Sequence, residues 1–259
     1  MDFVAAKRLM DAALDSVLGN FWTALKVTLL PLFIFAILVL VMFFQNIVGG
    51  LAANEGAPSA FGLKVVIAAL AGALLFYSAA VNWHRAILLP PDQRSLLPVA
   101  ETFKYLLKSV GATLFFVLIG LMIVVPTSFI TGAGVRISIG DFVGAYHQGW
   151  FQVVLTAALT WGFWFWYLSV SPSLVQAALG RKEGIFAAFN RSLEHVEITC
   201  GLATIMTLCM LAYSVAGAGL PALPPVLMAV VEVGVLWLVF VFSISLLTQF
   251  HKLCAADAV

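Results

Sequence analysis

The sequence predicts an all-α fold, a polytopic bundle of transmembrane helices, and three observations carry that expectation. The 259 residues are 63% hydrophobic and only 10% charged, with a mean hydropathy of +1.09, whereas a soluble domain carries about 25% charged residues. Apolar stretches recur at membrane-crossing length, about 20 residues for a hydrocarbon core of roughly 30 Å. Lys and Arg fall almost entirely on one side of the resulting layout. A single membrane domain over residues 1–259 follows.

The apolar stretches place six spans near residues 24–47, 63–83, 111–130, 151–170, 201–218 and 226–247. Ahead of the first, Met1 to Asn20 mixes Lys7, Arg8, Asp11 and Asp15 with apolar residues. It lacks the unbroken apolar core and small-residue cleavage site of a signal peptide, so it is expected to remain in the mature protein. Six spans put the N-terminus, the second and fourth loops and the C-terminus on one side. That side carries Lys7, Arg8, Lys26, Arg85, Arg94, Lys104, Lys108, Arg181, Lys182, Arg191 and Lys252, and the other only Lys64 and Arg136. Short loops with such a bias orient by the positive-inside rule, which expects both termini in the cytoplasm. The opposite loops, such as residues 49–56 and the nearly uncharged 217–225, are rich in Gly, Ala and Pro. They leave no room for a folded outer domain.

Three cytoplasmic segments, before the first, third and fifth spans, read as short amphipathic helices lying in the membrane interface. In the first, Lys7, Arg8, Asp11 and Asp15 oppose Phe3, Met10, Leu14 and Val17; in the second, Glu101, Lys104 and Lys108 oppose Phe103, Leu106, Leu107 and Val110. In the third, Glu183, Asn190, Arg191, Glu194 and Glu197 oppose Ile185, Phe186, Phe189, Leu193 and Val196. Interfacial helix, span, uncharged turn and span thus recur over blocks of roughly 80 residues, a threefold helix-pair repeat. The second spans end alike, in Ser78-Ala79-Ala80-Val81-Asn82-Trp83, Tyr167-Leu168-Ser169-Val170-Ser171-Pro172 and Phe242-Ser243-Ile244-Ser245-Leu246-Leu247. Small and hydroxyl residues let helices approach closely.

Ala80-Val81-Asn82-Trp83-His84-Arg85 closing a span, Pro98 to Tyr105 leading into the next, and Ala187-Ala188-Phe189-Asn190-Arg191-Ser192-Leu193 before the fifth carry a resemblance over nearly the whole chain. The sequence resembles bacterial free-standing six-span proteins of uncharacterised function, and the membrane domain attached to some glycerophosphodiester phosphodiesterases. That resemblance implies a helical bundle in a bacterial cytoplasmic membrane. It implies no activity, because the phosphodiesterase chemistry of such proteins belongs to a separate soluble barrel domain that these residues do not include.

Glu232 is the one carboxylate inside a predicted span, about two turns from the outer end of the sixth. A charge at a helix centre costs about 2.5 to 3.5 kcal/mol on insertion scales, while each Leu, Val or Phe returns about 0.3 to 0.6, so Leu236 to Phe240 and their neighbours carry it in. Intramembrane carboxylates are candidate proton or ion sites, and inter-helix hydrogen bonding is the plainer role. The fourth span offers a candidate polar pathway in Thr160, Ser169, Ser171, Ser173 and Gln176, around Pro172, where a broken helix would line a substrate site. Kinks at proline are also common in membrane helices that bind nothing. Asn82, His84, Arg85, His195 and His251 gather at the cytoplasmic helix ends.

No metal is expected, since Glu194-His195-Val196-Glu197 is not an HExxH arrangement. The three cysteines, Cys200, Cys209 and Cys254, lack CxxC spacing. No nucleophile elbow, phosphate-binding P-loop or dinucleotide fingerprint occurs, and no cofactor or catalytic residue is expected. A net charge of +1 gives no footprint for nucleic acid. The expected partners are the bilayer and a membrane-protein neighbour or a second copy. The sequence therefore points to a non-enzymatic structural, assembly or lipid-organising component, with a small-solute, ion or lipid transporter using Glu232 as the alternative.

Overall fold

The computed structural model describes residues 1–28, 31, 33, 58–94, 98–131, 139–219 and 225–256, with side chains described except at 58–69, 128–131, 217–219, 225–230, 232 and 236. Most of the predicted first span, the turn at 49–56 and the Glu232 side chain lie outside that set. Among the described residues there is no strand. The helices whose two ends are described are α1 (Phe3–Gly19), α2 (Pro58–Leu88), α3 (Val99–Thr131), α4 (Phe142–His147), α5 (Trp150–Ala178), α6 (Ile185–Leu193), α7 (Val196–Gly219) and α8 (Pro225–Ala256), and residues 21–28 are helical as well. Portions of α3, α5, α7 and α8 are long and apolar enough to cross a membrane: Val99–Thr127, Trp150–Ala178, Val196–Ala216 and Val233–Ala256. The chain is a multi-pass helical membrane protein.

The segment around Glu101 to Val110 is not a separate helix, because α3 runs unbroken from Val99. Gly111 does not interrupt it, and a Cβ there would meet nothing within 4 Å. By contrast α6 does end before α7, at a turn through Glu194 and His195. α5 also outlasts its predicted span, continuing through Pro172 to Ala178.

α5 is the central post, touching α2, α3, α4, α6, α7 and α8. One core cluster joins Ala6 and Ala13 of α1 to Leu168, Val175, Leu202, Leu246 and Phe250. A second joins Val17 and Ala24 to Val81, Trp83, Tyr105, Leu174, Val241 and Ile244. The buried line of α1 is Ala6, Ala13 and Val17, while Phe3 and Leu14 are exposed. Ala6 and Ala13 let α1 approach the bundle closely, with Leu9, Met10 and Val17 packed beside them, as small residues do where lipid is as apolar as leucine. At Gly201 of α7 an added Cβ would lie 3.1 Å from the Ala6 Cβ and 3.3 Å from the Asp2 carbonyl oxygen, so glycine there permits the α1–α7 contact. Asp2 caps α1 by accepting from the Ala5 amide at 2.9 Å, and its own amide reaches the Glu197 carbonyl.

These contacts fix which ends lie together. The start of α1 meets the start of α7, Arg85 meets the end of α5, and Gln176 meets His251 near the end of α8. Gly140, ahead of α4, is held at the opposite end by Thr160 and Ser214.

Candidate functional site

The serine-rich end of α5 forms around the defect that Pro172 makes. A proline has no N–H for the carbonyl four residues back, which here is Leu168. The Ser171 hydroxyl donates to that carbonyl at 2.7 Å. The next carbonyl, Ser169, accepts from Ser192 of α6 at 2.7 Å, so the weakened turn doubles as the seat of the short helix. Ser173 donates to the Glu183 carbonyl at 3.1 Å and accepts from Lys108 Nζ at 2.9 Å. Thr160, near the other end, accepts from the Gly140 amide at 3.0 Å and donates to the Thr156 carbonyl at 2.7 Å. The hydroxyls of Thr160, Ser171 and Ser173 thus donate to three different backbone carbonyls.

His84 is fully buried and bridges three helices. Its Nδ1 lies 2.8 Å from Thr248 Oγ1 and its Nε2 3.3 Å from the Tyr105 hydroxyl. Thr248 gives its proton to the Ile244 carbonyl, so Nδ1 carries the imidazole proton and donates, and Nε2 accepts from Tyr105. Ser109 donates to Tyr77 at 3.1 Å, and the Tyr77 and Tyr105 rings pack with centres 5.8 Å apart. A polar seam thus ties α2, α3 and α8, with α5 packed against it through Tyr167 and Leu174. Arg85 donates to the carbonyls of Ala178 at 3.2 Å and Gln93 at 2.9 Å, placing a cation on the carbonyl end of α5, where the helix dipole favours it. Glu101 stands 3.9 Å from it.

Of the remaining sequence candidates, Asn82 reaches only Ser78 at 3.5 Å, four residues back on its own helix. Gln176 Nε2 lies 3.5 Å from His251 Nε2. His195 sits at the turn between α6 and α7, where its carbonyl accepts from Thr199. Among the described residues no group of three His, Cys, Asp or Glu side chains is placed to share a metal.

The structure brings together residues that the sequence reading did not single out as a site. Lys104, Lys108, Ala177, Arg181, Lys182, Glu183 and Gly184 line a cavity of about 440 Å³ at the junction of α3, α5 and α6. Lys108 Nζ donates to the carbonyls of Ser173 at 3.1 Å and Glu183 at 2.5 Å as well as to the Ser173 hydroxyl. Glu183, the one acid of the cavity, is paired with Arg191 at 2.6 Å. Among the described residues Lys104, Arg181 and Lys182, all exposed, have no ion pair.

Further along the same helices an apolar groove of about 430 Å³ runs between α3 and α5 under α6. Phe115, Phe116, Ile119, Ile123, Phe165, Trp166, Phe186 and Phe189 are among its walls. Trp166 packs on Phe115 with ring centres 4.8 Å apart and donates to the Ala112 carbonyl at 2.9 Å, which fixes the two walls relative to each other. Comparison with protein-family models, with curated proteins and with solved structures finds no match.

Proposed function

We propose that this chain is a non-enzymatic, multi-pass component of a bacterial inner membrane that binds and organises its lipid and protein neighbours. The observation that carries the proposal is the local satisfaction of the polar groups a transport path would need. Thr160, Ser171 and Ser173, three of the five pathway residues suggested by the sequence, are buried, and their hydroxyls are given to three different backbone carbonyls, those of Thr156, Leu168 and Glu183. Hydroxyls spent on repairing a helix and seating a loop act as structure. Ser169, Ser171 and Ser173 are all buried, which supports a packing role for this stretch of α5.

Six spans, both termini in the cytoplasm and the threefold helix-pair repeat belong to the same proposal. The eleven basic residues on one side support the orientation, and the gathering of the α1 start, the α5 end and the His251 region at one end agrees with it. The amphipathic role extends to α1 and α6, whose exposed Phe3, Leu14 and Phe186 suit an acyl boundary. The resemblance to the membrane domain of bacterial phosphodiesterases is kept as part of this proposal, without its chemistry.

Isolation of the tagged full-length protein from its native membrane in mild detergent, with mass spectrometry of what accompanies it, tests the function. A stoichiometric protein partner or a reproducible lipid complement is the expected result. Solute flux in proteoliposomes that Glu232→Gln abolishes would overturn it in favour of transport.

A further inference from the structure

The basic cavity and the apolar groove are two parts of one surface. On α3, Lys104, Lys108, Phe115 and Ile119 fall within about 60° of one another around the helix axis at 100° per residue. They form a stripe that begins in cations and continues in aromatic and aliphatic side chains. Across from it Gly184 lines the cavity and Phe186 the groove, so the start of α6 spans both. Gly184 provides no side-chain cap, which leaves the partial positive charge of the first amides of α6 beside the cations.

We propose that this surface is a binding site for one anionic phospholipid, its phosphate against Lys104, Arg181 and Lys182 and one acyl chain along the groove from Phe115 to Ile123. The inference rests on the lipid-organising reading above and names its ligand. Charge decides the class. Four cations line the cavity against one carboxylate, and that carboxylate is already paired with Arg191. Lys108 spends its three protons on Ser173 and Glu183, so it holds the α5–α6 link and contributes charge, while the three exposed cations are free to contact the phosphate.

Depth decides between a lipid and a soluble phosphate. At 1.5 Å per residue, Phe115 lies about 10 Å and Ile123 about 22 Å along α3 from Lys108. A headgroup layer of roughly 5–8 Å over a half-bilayer of about 15 Å has the same reach. The groove volume also falls in the usual range for ligand sites, about 300–1,000 Å³. A free phosphate would leave that groove unused.

Native mass spectrometry of the full-length protein after exchange into nanodiscs of equal phosphatidylglycerol and phosphatidylcholine tests the site. The wild type is expected to retain one phosphatidylglycerol. Each basic residue contributes about fivefold beside an anionic headgroup, so the combined variant Lys104→Gln, Arg181→Gln, Lys182→Gln should lose the preference by at least about tenfold. Ala158→Phe, which fills the groove from exposed α5 surface, should weaken retention of both lipids while keeping the preference. Unchanged phosphatidylglycerol retention in the charge variant would overturn the proposal, as would release of the lipid by millimolar inorganic phosphate. If the charge variant still captures the wild type's native protein partner, the lipid site alone has failed; flux dependent on Glu232 would sink the wider reading instead.

Discussion

Two regions built from α3 and α5 use their polar groups in opposite ways. In the seam around His84, the hydroxyl and imidazole contacts are made to buried or half-buried groups of other helices, and the bonds tie helices far apart in sequence. On the face formed with α6, Lys104, Arg181 and Lys182 stand exposed above an open aromatic groove. Buried polar groups must be paired because an orphan costs the full desolvation penalty. Exposed cations carry no such demand and stay available to a ligand. The interior therefore holds the bundle together, and the face is where something else can bind.

Substitutions should separate the two. His84→Ala is expected to have the largest effect on stability, on the order of 2–3 kcal/mol, from the void it leaves and from the loss of partners for Tyr105 and Thr248. The cost stays moderate because Thr248 keeps its bond to Ile244. Thermal unfolding in detergent measures this, and unfolding indistinguishable from the wild type would break the contrast. Lys108→Met should cost about 1–2 kcal/mol, the low end for charge-assisted bonds in a site open to water. Limited proteolysis should then cut near Arg181 and Lys182, because the α5–α6 link loses the ammonium that holds Ser173 and Glu183. The combined Lys104, Arg181 and Lys182 to Gln variant should change stability least, within about 0.5 kcal/mol, as surface changes do.

Much of the fold was legible because hydropathy and charge are local properties. The long apolar helices follow from runs and counts. The errors arose where a local signal was overridden by a distant partner. The predicted fourth span stops near residue 170, yet α5 continues through Pro172 to Ala178, with the Ser171 hydroxyl donating to the Leu168 carbonyl that the proline leaves without its usual donor. Lys104 and Lys108 read as the polar face of a separate interfacial helix, whereas the unbroken α3 carries them in line with Phe115 and Ile119. That shared stripe was present in the sequence at spacings of four, seven and four, and needed only the absence of a break to be seen. For α1, the amphipathic pattern marked Val17 and Met10, which pack inward, along with Phe3 and Leu14, which are exposed, and it passed over Ala6 and Ala13, which are fully buried. His84 gave no such sign, because its partner Thr248 lies 164 residues away.

The most direct test of the central claim is thermal stability as phosphatidylglycerol is added to the wild type, His84→Ala and the triple glutamine variant. A ligand that binds only the folded state raises stability in proportion to the logarithm of its concentration above Kd, and separate sites act additively. His84→Ala is expected to start lower but gain the same increment as the wild type, while the triple variant is expected to start near the wild type and gain almost nothing. Loss of the increment in His84→Ala, with its retention in the triple variant, would contradict that claim.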